Sequence, residues 1–279
     1  MKRLLAIELQ KIWKNRASRI LTLTYFILLT FLSLIASIKF DIGPLNIRLA
    51  DQGIFNFPFI WHFNTFVAAW LKIFLAVVIV SMMANEYSYG TLKQNLIDGM
   101  SKKEFVASKF IAIVLFAGIS TVFVFIISLI LGLFFSSFNE PSIIFSQMEY
   151  LLGYFVKLVG FFSFCLFLGV LIKRSAFALG FLFLWFAFEN ISHGIIKYNF
   201  LDGDAPILDK FYEFFPLESM SNLLVEPFTK LNAVKTIGNQ IGVENIKNYD
   251  VHFSTVAIVL AWTAIFIFLS YKIIKKRDL

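Results

Sequence analysis

Long apolar runs separated by short polar stretches set the pattern of this chain. Six runs reach the roughly 20 apolar residues that a helix needs to cross a hydrocarbon layer. They cover residues 20–38, 63–84, 110–137, 150–172, 176–196 and 253–274. The third is long enough to tilt or to project beyond a bilayer. The fourth is the least regular, because Lys157 interrupts it, either as a snorkelling residue or as the mark of a helix break. The pattern predicts an all-α integral membrane protein with six transmembrane helices, built as a single domain over residues 1–279.

Three segments depart from this pattern. Residues 2–19, "KRLLAIELQKIWKNRASR", place Leu5, Leu9, Ile12 and Trp13 on one helical face, with Lys11, Lys14 and Arg16 away from it. This predicts an amphipathic interface helix over 1–19, with Trp13 at the membrane surface. The alternative is a plain basic tail that only sets orientation. Residues 85–109, "NEYSYGTLKQNLIDGMSKKEFVASK", are strongly polar between two apolar runs. Thr91 can cap a helix from Leu92 to about Ile97, and Asp98-Gly99 is a stop signal. Ser101 with Glu104 three residues on forms a capping box, and the helix it opens can continue through Lys109 into the third span. The result is a helix–turn–helix elbow. A solvated loop with basic anchors is the blander reading, but a mere connector needs no two capped helices. Finally, the connection 197–252 contains Pro206, Pro216, Pro227 and the run "KFYEFFPLESMSNLLVEPF". It is too apolar for a free linker, and predicts short helices at or dipping into the outer leaflet, broken by the prolines.

Composition supports the membrane assignment: 59% of residues are hydrophobic and only 15% charged, against about 25% charged in soluble domains. The net charge of +7 acquires meaning from its distribution. Sixteen Lys and Arg fall at the N-terminus, in the elbow, in the turn at 173–175 and at the C-terminal end, against seven in the connections on the other side. This bias predicts that both termini and the elbow are cytoplasmic. It does not indicate nucleic-acid binding. A cleaved signal peptide ending near "LIAS" fits poorly, because the apolar run exceeds an h-region and a long basic helix precedes it.

Candidate chemistry is sparse. GxxxxGK[ST], HExxH and GxSxG are all absent from the sequence. Cys165 is the lone cysteine, and the three histidines, His62, His193 and His252, lack the further ligands of a zinc site. Charges within spans are costly and so draw attention. Lys72 in the second span and Glu189 in the fifth fall within about 3 Å of each other in depth. They are expected to form an intramembrane polar pair, which either fixes helix packing or lines a translocation path. The packing role is favoured, because a paired charge need not move. His193, one turn from Glu189, belongs to a polar patch near the outer end of the fifth span. Trp61, Trp70, Trp185 and Trp262 read as interface or packing residues.

The elbow also resembles the loop after the second span in type 2 permeases of ATP-binding-cassette (ABC) exporters. The matching residues are Glu86, Gly90, Thr91, Leu92, Leu96, Ser101, Lys102 and Lys109. Many members carry a proline just before the Ser/Thr, where this chain has Gly99-Met100. The wording "QNLIDGMSKKEF" resembles the variant common in Bacteroidetes-type bacteria. The resemblance extends to the layout: an amphipathic N-terminal helix, six spans and a long outer segment before the sixth. It implies a type V exporter-like transmembrane domain in the bacterial inner membrane, in contact with lipid and paired with a second permease subunit as a homo- or heterodimer. A separate ATPase subunit would carry the ATP and magnesium, leaving this chain without a cofactor or catalytic residue. Glu86, Gly90, Thr91, Leu92, Leu96, Ser101 and Lys102 would then contact that ATPase, the elbow acting as a lever on the spans. Two other classes compete. One is an ion-coupled secondary transporter or channel that uses Lys72 and Glu189. The other is an accessory or immunity membrane protein that transports nothing. An adjacent reading frame encoding GxxxxGK[ST] would separate them from the exporter reading.

Overall fold

The structure is a computed structural model that describes residues 2–37, 39–42, 45–48, 52–200, 206–231, 234, 236 and 247–277. In chain order, α1 (Lys2–Lys14) and α2 (Arg16–Ser37) are followed by an antiparallel hairpin of β1 (Lys39–Ile42) and β2 (Leu45–Arg48). Then come α3 (Phe59–Ser88), α4 (Thr91–Ile97), α5 (Lys102–Phe135), α6 (Pro141–Ile144) and α7 (Glu149–Ile172). The chain continues through α8 (Ser175–Phe200), α9 (Pro206–Tyr212), α10 (Pro216–Asn222), a single 3-10 turn (Phe228–Lys230) and α11 (Phe253–Lys276). Apart from the short hairpin, the described regular structure is helical. Six helices (α2, α3, α5, α7, α8 and α11) are long and apolar enough to cross a membrane, each at the site of an expected span. The parts of the long connection at 201–205 and 237–246 lie outside the described residues.

The helix ends differ from the expected ones where polar residues extend a helix past its apolar run. α3 continues through Glu86 to Ser88; α5 begins at Lys102 and, as expected, carries the elbow's second helix into the third span as one unbroken 34-residue rod. α7 corrects the reading of the fourth span. It is the most deeply packed of the six, and Lys157 neither breaks it nor snorkels out. Apolar residues surround α7 on every side, which suits a helix enclosed by others. It packs against α3, α5, α8 and α11. Glycines set the closest approaches: a Cβ on Gly160 would lie 2.7 Å from Val259 of α11, and one on Gly169 would lie 3.0 Å from Met83 of α3. Small residues play this part where lipid supplies no hydrophobic drive for helices to associate.

Polar side chains tie the helices further. Tyr25 of α2, Ser120 of α5 and Tyr154 of α7 share a buried hydroxyl cluster, with Tyr25 and Tyr154 oxygens 2.6 Å apart. Asn64 of α3 donates to Ser128 of α5 at 2.9 Å. The prolines of the long connection start its short helices and do not break them, correcting the sequence expectation. Pro206 and Pro216 open α9 and α10, and Pro227 precedes the 3-10 turn. A first-turn proline sacrifices no helical hydrogen bond. Met220, Leu223 and Leu224 of this connection are buried in the core.

Candidate functional site: the elbow junction and the lysine cavity

The elbow forms as two helices, with one capping detail changed. α4 starts at Gly90, whose φ of +67° suits a residue without a Cβ. Thr91 does not cap it; its hydroxyl donates instead to Glu86 Oε2 at 2.5 Å. At α5 the capping box is present: Ser101 Oγ accepts from the Glu104 backbone N–H, and the Glu104 carboxylate accepts from the Ser101 N–H. Gly99 (φ +97°) makes the turn between them.

A buried ionic cluster anchors the elbow from below. Lys109 of α5 donates to Glu8 of α1 and to Glu86 of α3, each at 2.5 Å. Lys11 of α1 donates to Glu86 at 2.8 Å and lies 3.7 Å from Glu8. Two cations therefore neutralise two carboxylates, and four elements meet at one point: α1, α3, α4 through Thr91, and α5. Lys109 is fully buried, and Glu8 and Glu86 nearly so. A charge can be enclosed this way only when its partners satisfy it.

This cluster revises the reading of the first helix. Leu5 and Ile12 do turn inward, but Glu8 lies between them on the packed face, and Trp13 is 54% exposed on the other side. The helix docks on α5 through a charge. Sequence reading missed Glu8. Its signal was an acid set one turn before Ile12 within an otherwise apolar stripe.

The cluster also revises the proposed contact set. Glu86 and Leu92 are each only 2% exposed, so both position the elbow and neither can meet a partner directly. Leu96 is partly buried against the core. Lys102 donates to the Arg277 carbonyl at 2.9 Å and the Lys275 carbonyl at 3.3 Å, joining the elbow to the end of α11. Gly90 and Ser101 stay exposed and Thr91 half-exposed. The outward surface of the elbow is made by residues the sequence did not single out: Tyr89 just before α4 and Ile97 at its end, each 74% exposed, with Lys93 and Gln94 of α4. Arg277 completes this end of the molecule by donating to Tyr87 Oη at 2.6 Å and the Val170 carbonyl at 2.8 Å.

Lys72 and Glu189 line one cavity of about 540 Å³ between α3, α7, α8 and α10, but they do not pair. Glu189 Oε1 accepts from Trp185 Nε1 at 2.5 Å, and its carboxylate accepts the backbone N–H groups of Leu217 and Glu218 at 3.2 and 2.9 Å. Those two groups belong to the first turn of α10, where helical N–H groups lack internal partners. Glu189 is therefore spent on holding α10. Lys72 Nζ lies 4.7 Å from the centre of the Phe161 ring. Lys157, 4% exposed, joins it in the cavity wall and reaches only the Ser221 carbonyl, at 3.4 Å. Glu218 also lines the cavity. Burial is the main influence on its carboxyl and raises it above the usual range, against the pull of His193, Asn222 and Lys157.

The far ends of the helices carry two further polar clasps. His193 Nε2 and Lys197 Nζ both hold Asp209 of α9 at 2.8 Å. These hydrogen bonds, Lys197 first, hold the Asp209 carboxyl below its usual range. His62 Nε2 meets the Val225 carbonyl at 2.7 Å and its ring stacks on Tyr150. Among the described residues no group of three or more His, Cys, Asp or Glu gathers as a metal site would.

Six long apolar helices, closed by a charge-locked elbow at one end and clasped short helices at the other, define a multi-pass membrane protein. Residues 27–279 match the family described as "Protein of unknown function (DUF2705)", and the chain belongs to that family. No curated protein matches it.

Proposed function

We propose that the chain is the membrane subunit of a bacterial ABC exporter, with the elbow facing the cytoplasm and docking into a separate ATPase subunit. The observation that carries this reading is the construction of the elbow. Its exposed tip is Lys93, Gln94 and Ile97 on the short helix α4, with Tyr89 just before it. That helix is fixed through Thr91 and Glu86 to α3, and through Lys109 to α1 and α5. A partner that pushes on the tip moves helices long enough to span the membrane. Nucleotide state on the partner and helix arrangement on this chain would then be linked as one coupling free energy. An apolar side chain held out on a polar surface suits insertion into a cleft. The positive bias of the elbow and both chain ends supports the cytoplasmic orientation, and a second permease subunit would complete the transport path.

Mild-detergent purification from native membranes tests the proposal. Mass spectrometry should identify a co-purifying subunit that carries GxxxxGK[ST]. Replacing Gln94–Lys102 by a Gly/Ser linker should abolish stimulated ATP hydrolysis in the reconstituted complex while membrane insertion survives. Ile97→Asp should weaken co-purification without unfolding the chain. Absence of any ATPase in the purified complex, or unchanged transport by the linker variant, would overturn the reading.

A further inference from the structure

We propose that the cavity between α3, α7, α8 and α10 binds the anionic head of an amphiphile, with its hydrocarbon leaving sideways between α3 and α8. The head-binding groups are Lys72 and Lys157. Both stand within helices long enough to cross a membrane, and both face the same cavity of about 540 Å³. Among the described residues neither forms an ion pair: Lys72 has the Phe161 ring and Lys157 one long hydrogen bond to the Ser221 carbonyl. Two ammonium groups lining one cavity repel each other and are costly at such depth without anions.

The carboxylates of the cavity do not serve that need. Glu189 is occupied by three donors from Trp185 and the first turn of α10. Glu218 lines the same wall within electrostatic reach of Lys157, but makes no ion pair with either lysine and only partly offsets their charge. A phosphate or carboxylate between the two ammonium groups would supply charge-assisted hydrogen bonds to both. The volume falls within the range of small-ligand pockets, roughly 300–1,000 Å³.

The walls decide between a free anion and an amphiphile. Phe66, Ile73, Phe161 and Leu182 line the space around the lysines. Trp70, Phe183 and Phe186 at its edge are 73%, 57% and 56% exposed. These three project from the middle of α3 and α8, where a membrane-crossing helix meets hydrocarbon. Asn190 and Ser221 are the exposed polar residues of the lining, and beside them an alkyl chain can lie against these rings, a contact that a free anion does not make. The shared chemistry is a phosphate or carboxylate joined to a hydrocarbon chain, whether a bilayer lipid or a single-chain amphiphile.

The test uses the full purified chain in a neutral detergent, with bound molecules counted by native mass spectrometry. The probes are phosphatidylglycerol, dodecyl phosphate, zwitterionic phosphatidylcholine and inorganic phosphate. At least one anionic amphiphile should bind about tenfold or more tightly than phosphatidylcholine, and inorganic phosphate should bind more weakly than either. Preference for phosphatidylglycerol identifies a bilayer lipid, and preference for dodecyl phosphate identifies a single-chain ligand. Lys72→Gln should weaken binding about tenfold, and Lys72→Arg should retain it. Binding of phosphatidylcholine equal to the better-bound anionic amphiphile, inorganic phosphate binding as tightly as that amphiphile, or unchanged affinity in Lys72→Gln would each overturn the proposal. No ATPase is present in this measurement, so its outcome is independent of the transport reading.

Discussion

The elbow junction and the lysine cavity contain the same charges, two lysines and two glutamates, in opposite arrangements. At the junction Lys11, Lys109, Glu8 and Glu86 meet within hydrogen-bonding distance and leave nothing over. In the cavity the same inventory is held apart. Glu189 is turned onto backbone N–H groups, Glu218 stands unpaired with the lysines, and Lys72 and Lys157 face open space. The first arrangement is closed and serves the fold. The second leaves cationic capacity that the fold does not consume. Counting charged residues within apolar runs does not distinguish the two; only the partners of each group do.

The sharpest way to break this comparison is to remove one lysine from each region. Lys109→Met strands Glu8 and Glu86 with Lys11 alone, and is expected to cost about 3–5 kcal/mol, read as a large drop in the thermal midpoint of the detergent-solubilised chain. A loss under about 1 kcal/mol would mean the junction is not the closed lock described. Next in size, Ser101→Ala should cost about 1 kcal/mol and raise amide exchange in the first turn of α5, leaving the ionic cluster intact. Lys72→Met should be neutral or stabilising within about 1 kcal/mol in the same melt, because no partner is stranded; a loss as large as that of Lys109→Met would erase the contrast.

The smallest effect concerns pH at the far end. Asp209 has a depressed folded value, so the stability it contributes is fully present above its ordinary value of 3.8 and is lost as pH falls through the lower folded one. Amide exchange in α9 should therefore show no added opening from this carboxylate above about pH 5 and should gain it only at the acid end. Asp209→Asn should remove that acid step.

Much of the fold was legible in the sequence because a membrane-crossing helix announces itself through length. All six expected spans coincide with long helices, and the Ser101–Glu104 box forms as its spacing required. What escaped has common causes. Leu92 and Glu86 look like surface residues within a polar stretch, yet local polarity says nothing about which side of α4 faces the core. Thr91 has the chemistry of a cap, but a neighbouring carboxylate offers its hydroxyl a charged acceptor, a stronger bond than a backbone amide allows. Similar depth suggested that Lys72 and Glu189 pair. α10, entering from the long connection, brought Glu189 two backbone donors instead. The meeting of Glu8 with Lys109, across 101 positions, has no local signature at all.

That separation imposes an order on biogenesis. Glu8 and Glu86 are synthesised before Lys109, so α1 and α3 emerge with two carboxylates and Lys11 as the cluster's one cation. Until α5 follows, the pair Lys11–Glu86 is the cluster's one link between α1 and α3, and α4 is tied to α3 through Thr91 and Glu86. The charge cluster shared by α1, α3 and α5 is thus complete only once position 109 has been made, which ties their final packing together.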